Sequence, residues 1–203
     1  MADWDADSPR LRQNLINVLR DARERALRRD QPTVEDARRW HRGMMTGLRV
    51  PDGKYRGRFR GERGLETTRV WIGAREGVGP AGVARALAAF ERTLHRTVAA
   101  LDARYPQGKE LDVDGLAAVI DLSAWAHAGW VRMHPFANGN GRTARIWANA
   151  ILMRYGLPPA VRLRPRPGGG YVLAGAAAMD GDWRPTAAVF RTMLEEVLSE
   201  RGP

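Results

Sequence analysis

Apolar residues recur at helical spacing over most of this chain. The clearest case follows Gly79-Pro80, where they fall every three or four positions, at Val83, Leu87, Phe90, Leu94, Val98 and Leu101. Residues at this spacing share one face of a helix, so their side chains form a continuous stripe that must pack against other elements. The pattern predicts an amphipathic helix here. Similar segments elsewhere predict a mainly helical fold.

Helix start and stop signals delimit the other segments. Ser8-Pro9 is a good N-cap and first-turn pair, and Thr33 with Asp36 has the spacing of a capping box. Gly156 with the two prolines that follow is a typical helix stop. The predicted helices cover approximately residues 9–29, 33–46, 79–104, 112–133, 142–155, 171–179 and 183–200.

The segment from Lys54 to Gly73 has a different pattern. "KYRGRFRG" and "ETTRVWIG" alternate bulky and polar residues and are separated by "ERGL". Such alternation across a turn is typical of a β-hairpin. The predicted fold class is therefore all-α with one small β-hairpin.

Composition narrows the class of protein. A chain of 203 residues without internal repeats or linkers is long enough for one sizeable core. It has no Cys, which excludes disulfides and thiolate metal sites, and its apolar runs are too short and too interrupted by Arg to span a bilayer. The acidic start "MADWDADSPR" lacks the layout of a secretory signal. We therefore expect a cytoplasmic protein without a membrane partner.

The net charge of +10 suits a protein that meets polyanions. The basic residues are scattered, however, and acidic residues are interleaved where they cluster. We therefore expect a nucleotide rather than nucleic acid as the anionic partner.

The segment "HPFANGNGRTAR", residues 134–145, combines a His, two Gly and two Arg at the start of a predicted helix. Gly139 and Gly141 allow the backbone to approach a ligand closely, and the free amides of a helix start favour an anion. Arg142 and Arg145 are three residues apart, so they share a helix face and can both contact phosphate oxygens. The alternative is an ordinary turn with a structural His. Two arginines against the helix dipole favour the anion site.

These residues carry a family resemblance. His134-Pro135-Phe136, Gly139-Asn140-Gly141-Arg142 and Arg145 match the Fic family signature HPFx(D/E)GNGRxxR. "HAGWVRMHPF" also resembles the family's lead-in helix, and "YVLAGAAAMDGDW" is similar to its Y-x-x-A-L…G-D segment. The resemblance implies a Fic-type helical bundle with a hairpin flap, in which residues 31–203 form the domain and a helix within residues 1–30 packs on it.

The resemblance also implies a function and residue roles. Fic enzymes transfer a nucleoside monophosphate, most often AMP from ATP, to a hydroxyl of a target protein. His134 resembles the base that deprotonates this hydroxyl, and Phe136 a packing anchor. The flap, roughly Tyr55 to Ile72, would hold the target protein by strand addition. The phosphate site would comprise Gly139, Asn140 and Gly141 as the anion hole and Arg142 and Arg145 as the β- and γ-phosphate contacts.

Two features depart from the family pattern. Asn138 stands where the family has the Asp or Glu that holds Mg²⁺, and a neutral amide is a poorer ligand for this ion, so Asn138 would hold it weakly. The family's inhibitory motif has a Ser or Thr, three spacers, Glu, and then Gly or Asn. The nearest match, "TMLEEV" at 192–197, lacks the Gly or Asn and is interpreted as an ordinary helix. Any control would therefore come from a separate inhibitory partner, or none exists.

Two alternatives remain. The first is a divergent Fic enzyme with another nucleotide, leaving group or small-molecule acceptor, and the second is a silent scaffold that binds nucleotide or nucleic acid. The intact Gly139-Asn140-Gly141-Arg142 argues against phosphoryl transfer, and His134 argues against a scaffold. His127 is interpreted as structural, and His41 and His95 as surface or interhelical residues.

Overall fold

The computed structural model describes residue 4 and residues 8–200. Within this part the fold is helical with one two-stranded antiparallel sheet, so the predicted fold class is confirmed. The elements in chain order are α1 (Pro9–Leu27), α2 (Val34–Met44), a 3₁₀ turn (Gly53–Tyr55), β1 (Trp71–Ile72), β2 (Arg75–Glu76), α3 (Pro80–Arg104), α4 (Val113–Met133), α5 (Asn140–Arg154), α6 (Gly170–Met179) and α7 (Arg184–Ser199).

The predicted helix starts are confirmed at atomic detail. Ser8 Oγ accepts a hydrogen bond from the Leu11 amide at 3.1 Å, and Asp36 Oδ2 accepts one from the Thr33 amide at 2.8 Å. Asp112 Oδ1 does the same for the Gly115 amide at 2.7 Å. Each cap satisfies an amide near a helix start that has no partner within the helix.

Helix α5 lies at the centre of the molecule, against α4, α1 and α2. Nearly all of its residues are buried, and its Trp147 packs edge-on against Trp40 of α2 and at a tilt against Trp130 of α4. The apolar stripe predicted in α3 is buried along its whole length. Because α5 begins at Asn140, this packing holds the first turn of α5 and the loop before it in a fixed place.

The hairpin is smaller than predicted and lies further along the chain. The predicted strand 54–61 is wrong, and of the predicted strand 66–73 only Trp71–Ile72 is a strand: Trp71 pairs with Glu76 and Ile72 with Arg75. Phe59 and Leu65 alternate with polar residues because they are buried core anchors, 3% and 1% exposed, rather than because they lie in a strand.

Glycine conformation explains why residues 54–65 form no strand. Gly57, Gly61 and Gly64 all have positive φ, which interrupts an extended chain. At Gly61 a Cβ atom would lie 2.2 Å from the Pro80 carbonyl oxygen, so the chain also passes too close to α3 for any side chain.

Arg60 fixes the hairpin to the end of α4. Its side chain is 1% exposed and donates hydrogen bonds to the carbonyl oxygens of Val78 at 2.7 Å, Met133 at 2.9 Å and His134 at 2.7 Å. The loop that precedes the hairpin, the hairpin's exit and the end of α4 are therefore held together around one guanidinium group. This clamp places the hairpin beside His134.

Candidate active site

His134 ends helix α4 in a left-handed conformation, with φ of 47° and ψ of 59°. This conformation is uncommon for a residue other than Gly, and it is typical of strained positions at functional sites. The Nδ1 atom is hydrogen-bonded to the Val131 carbonyl oxygen. A carbonyl can only accept, so Nδ1 carries the proton and the lone pair lies on Nε2.

Burial lowers the pKa of His134 to about 4. The positive charge of Arg60 acts in the same direction, while the hydrogen bond to Val131 opposes them. At neutral pH the imidazole is therefore uncharged. A neutral imidazole with an available Nε2 lone pair is the state that a proton acceptor requires.

The loop between α4 and α5 is held by its own side chains. Gly139 has φ of +76° and is the N-cap of α5. The Asn140 side chain makes two hydrogen bonds of 2.8 Å to the backbone of Phe136, accepting from its amide and donating to its carbonyl. The Asn140 side chain therefore fixes the loop, and what remains for an anion is the set of backbone amides at the start of α5.

Arg145 is a buried cation, 4% exposed, and it lines the cavity next to this loop. Its Nη1 donates to the Tyr171 hydroxyl at 3.2 Å and its Nη2 to the Leu163 carbonyl at 3.0 Å. Among the described residues it forms no ion pair with a carboxylate. A buried charge without a counter-charge is costly, and an anionic ligand in the cavity would supply one.

Arg142 lies one turn earlier on α5 and is also 4% exposed. Its Nη1 donates to the Trp4 carbonyl at 2.8 Å and its Nη2 to Asn138 Oδ1 at 3.2 Å. The Trp4 ring lies 5.5 Å from the Tyr55 ring, centroid to centroid. Residue 4 therefore reaches the site, a contact that the sequence did not predict.

The surroundings of Asn138 do not favour a protein-held Mg²⁺. Its Oδ1 accepts hydrogen bonds from the Gly139 amide and from Arg142, so the amide oxygen is engaged and faces a cation. Within the described part of the chain, no group of three or more His, Asp or Glu side chains could hold a metal ion. The role of Asn138 as a metal ligand stays a prediction, and the groups around its side chain do not suit that role.

His41 connects Asn138 to the preceding loop. The Gly57 amide donates to its Nδ1 at 2.9 Å, so the other nitrogen, Nε2, donates to the Asn138 carbonyl at 3.0 Å. Burial lowers the pKa of His41 to about 4. The interpretation of His41 as a surface residue is wrong, because it is completely buried. His95 Nε2, in contrast, lies 2.7 Å from the Pro32 carbonyl oxygen and joins α3 to the start of α2.

The predicted site residues lie together in one cavity of about 610 Å³. The loop and α5 contribute one wall, with His134, residues 138–142 and Arg145, while the hairpin contributes Ile72 and Arg75. Helix α6 and the loop before it contribute further residues that the sequence reasoning missed: Arg164, Arg166, Tyr171, Val172 and Met179. Tyr171 opens a segment that resembles the Fic pattern, but nothing in that pattern indicated a contact with Arg145.

Arg75 closes one side of this cavity. From the hairpin it donates to the Ala176 carbonyl at 2.9 Å and pairs with the Asp180 carboxylate at 2.8 Å. The hairpin is thus joined to α6 across the cavity mouth. A cavity lined by buried cations, the start of a helix, apolar residues and a neutral imidazole suits a phosphorylated ligand with an apolar-faced group.

The helical bundle, the loop before α5, the two arginines and His134 together match the architecture of the Fic fold, and comparison with known proteins agrees. The sequence model of the Fic/DOC family matches residues 31–152, more than half of the chain. The chain belongs to the Fic/DOC family.

The relatives that match this chain are much longer than it. It is 28% identical over 166 residues to a protein named Protein adenylyltransferase Fic from Drosophila melanogaster, which covers 82% of this chain and 29% of that protein. A protein of the same name from Nematostella vectensis is 55% identical over 42 residues, 21% of this chain and 10% of the relative. The chain therefore spans less than a third of these curated relatives.

Solved structures agree on the fold. Fic-1 (residues 134–508) from C. elegans superposes with a TM-score of 0.63 at 27% identity, covering 97% of this chain and 52% of that chain.

No helix in residues 8–200 is long and apolar enough to cross a membrane.

Proposed function

We propose that this chain is a Fic-type nucleotidyltransferase that moves a nucleoside monophosphate, AMP from ATP in the first instance, onto a hydroxyl side chain of a target protein. One observation carries the proposal: the neutral imidazole of His134 and the buried guanidinium of Arg145, which has no carboxylate partner in the described chain, line the same cavity. The names of the relatives support the same activity.

The phosphates of the nucleotide would lie at the start of α5. The backbone amides of Asn140 and Gly141 offer donors, and the helix dipole adds to their attraction for an anion. The Gly139 amide, which donates to Asn138 Oδ1, would join them by turning to the ligand. Arg142 and Arg145 would take the β- and γ-phosphate oxygens. The charge of Arg145 would then be balanced by the ligand instead of remaining uncompensated.

The transfer itself needs a base and a leaving group. His134 Nε2 accepts the proton of the target hydroxyl as its oxygen attacks the α-phosphorus. The bond from the α-phosphorus to the bridging oxygen of the β-phosphate breaks, and pyrophosphate leaves with the electron pair. The amides and arginines stabilise the charge that develops there.

No step in this scheme uses a protein-held metal ion, because Asn138 Oδ1 is engaged by Gly139 and Arg142. An ion that arrives with the nucleotide would be held by phosphate oxygens and water. We therefore propose that Mg²⁺ enters the site bound to ATP.

The hairpin is placed to present the target. A Cβ atom on Gly77, directly after β2, would lie 2.9 Å from His134 Cβ, so the hairpin passes immediately beside the base. A target segment that pairs with the hairpin as an extra strand would bring its hydroxyl to Nε2. Trp71 is 58% exposed on β1 and would contact such a partner. Control, where it exists, would come from a separate inhibitory partner.

The reaction is tested with labelled nucleotides. The protein is incubated with a lysate and each nucleoside triphosphate labelled on the α-phosphate, and separately with γ-labelled ATP, with His134→Ala as the matched control. Protein-bound label from the α position that disappears with the variant supports the proposal. Label from the γ position alone would instead show phosphoryl transfer and would overturn the proposal.

A further inference from the structure

A chain of three buried polar side chains lines the cavity. His127 comes from α4, Arg145 from α5 and Tyr171 from the first turn of α6, and they are 1%, 4% and 4% exposed. The Tyr171 hydroxyl lies 2.7 Å from His127 Nε2 and 3.2 Å from Arg145 Nη1. One phenol oxygen therefore joins three helices at the site.

The direction of these hydrogen bonds follows from the donors present. Arg145 can only donate, so the Tyr171 oxygen accepts from it. The single phenol proton then needs an acceptor, and the His127 Nε2 lone pair is the one within reach. Burial, together with the charges of Arg145 and Arg166, lowers the pKa of His127 to about 3, so the imidazole stays neutral and can accept. His127 thereby turns a lone pair of the Tyr171 oxygen towards Arg145.

The guanidinium of Arg145 is held on two sides. Tyr171 accepts from Nη1 and the Leu163 carbonyl accepts from Nη2 at 3.0 Å. A Cβ atom on Gly141 would lie 3.4 Å from the same Nη1, so this nitrogen is also next to the anion loop. A long side chain fixed before the ligand arrives loses less conformational entropy on binding.

We infer that Tyr171 is a positioning residue, which holds the Arg145 guanidinium against the anion loop so that it meets the terminal phosphates of a nucleoside triphosphate, and that His127 orients the Tyr171 hydroxyl for this task. The inference rests on the proposed function, since it assumes that Arg145 binds phosphate. It adds two residues from α4 and α6 to the site.

The test compares ATP with AMP, which lacks the terminal phosphates. In Tyr171→Phe the ring stays and only the hydroxyl is lost. We expect the Kd for ATP, measured by calorimetry, to rise about three- to tenfold, the net effect of losing one ordinary intramolecular hydrogen bond, while the Kd for AMP stays the same. Tyr155→Phe is the matched control. Tyr155 is also buried, its hydroxyl donates a hydrogen bond to Asp102 at 3.0 Å, and neither residue lines the cavity. It should leave both Kd values unchanged.

A double-mutant cycle shows whether Tyr171 acts through Arg145. Arg145→Met should weaken ATP binding, and adding Tyr171→Phe to it should cause no further loss. His127→Gln, whose amide oxygen can accept the phenol proton, should bind ATP more tightly than His127→Leu.

The outcomes separate this inference from the proposed function. If Arg145→Met leaves ATP affinity unchanged, the phosphate role of Arg145 fails. If Arg145→Met weakens ATP binding but Tyr171→Phe does not, or weakens ATP and AMP equally, Tyr171 is not a positioning residue and the proposed function stands. An independent further loss in the double variant would also overturn the inference.

Discussion

The pH dependence of transfer should differ from that of an ordinary histidine base. In the structure, burial and the nearby Arg60 lower the pKa of His134 to about 4. At pH 5.5 about 97% of such groups are neutral, against about 9% for a pKa of 6.5. We therefore expect the transfer rate to stay nearly constant between pH 8 and pH 5.5, where an unperturbed His would lose about tenfold.

The assay is the initial rate of label transfer from saturating α-labelled ATP at half-unit pH steps, with the Kd for ATP measured at each step as the control. The series stops at pH 5.5 because His41 and His127 also have lowered pKa values, about 4 and 3. Below pH 6.5 the unfolded chain binds their protons more readily than the folded chain, so stability falls as the pH drops towards those values. A rate that halves near pH 6.5 while ATP binding stays constant would refute the reasoning.

Three further outcomes follow. Asn138→Asp adds a charged oxygen, which is a better Mg²⁺ ligand than the amide it replaces, and it should lower the Mg²⁺ concentration that gives half-maximal transfer. Coincident metal titrations of variant and wild type would show that a carboxylate at this position does not reach the ion. Arg142→Ala should weaken ATP binding by about 1.5–3 kcal/mol, the value of a hydrogen bond to a charged group. The control is Arg191→Ala, at an exposed position. Equal ATP affinities of wild type and Arg142→Ala would place the phosphates elsewhere. Deleting residues 183–203 removes the buried Phe190 and Leu194, each contributing about 1.5–3 kcal/mol, so urea unfolding should shift to lower concentration. A large gain in transfer activity would instead show that "TMLEEV" inhibits.

Local signals explain why the helices could be predicted. Ser8, Thr33 and Asp112 each cap the helix that follows through a contact within three residues, and the stripe of α3 needs only periodicity. The predicted position of the hairpin was wrong because the local pattern there has a non-local cause. Alternation around Phe59 and Leu65 resembles a strand, although it arises from burial against distant helices.

In the site, too, the features set by local sequence could be predicted, and those set by contacts between distant segments could not. The loop of residues 134–145 is continuous in sequence, so its residue types and spacing could be interpreted directly. Its partners are distant in the chain: Arg145 contacts a residue 26 positions away, Tyr171, and Arg142 contacts Trp4, 138 positions away. Only tertiary packing brings these groups together. The neutral state of His134 likewise depends on its burial and, to a smaller extent, on the charge of Arg60, neither of which spacing alone reveals.

The most direct test of the central claim compares wild type with His134→Ala in two measurements on the same preparations, label transfer from α-labelled ATP and the Kd for ATP. Because His134 supplies the base while the amides of α5 and the arginines hold the phosphates, we predict that transfer falls by about 10²–10⁴ while the Kd stays the same. A variant that keeps most of its transfer activity, or one that loses ATP binding in parallel, would contradict the assignment of His134 as the base.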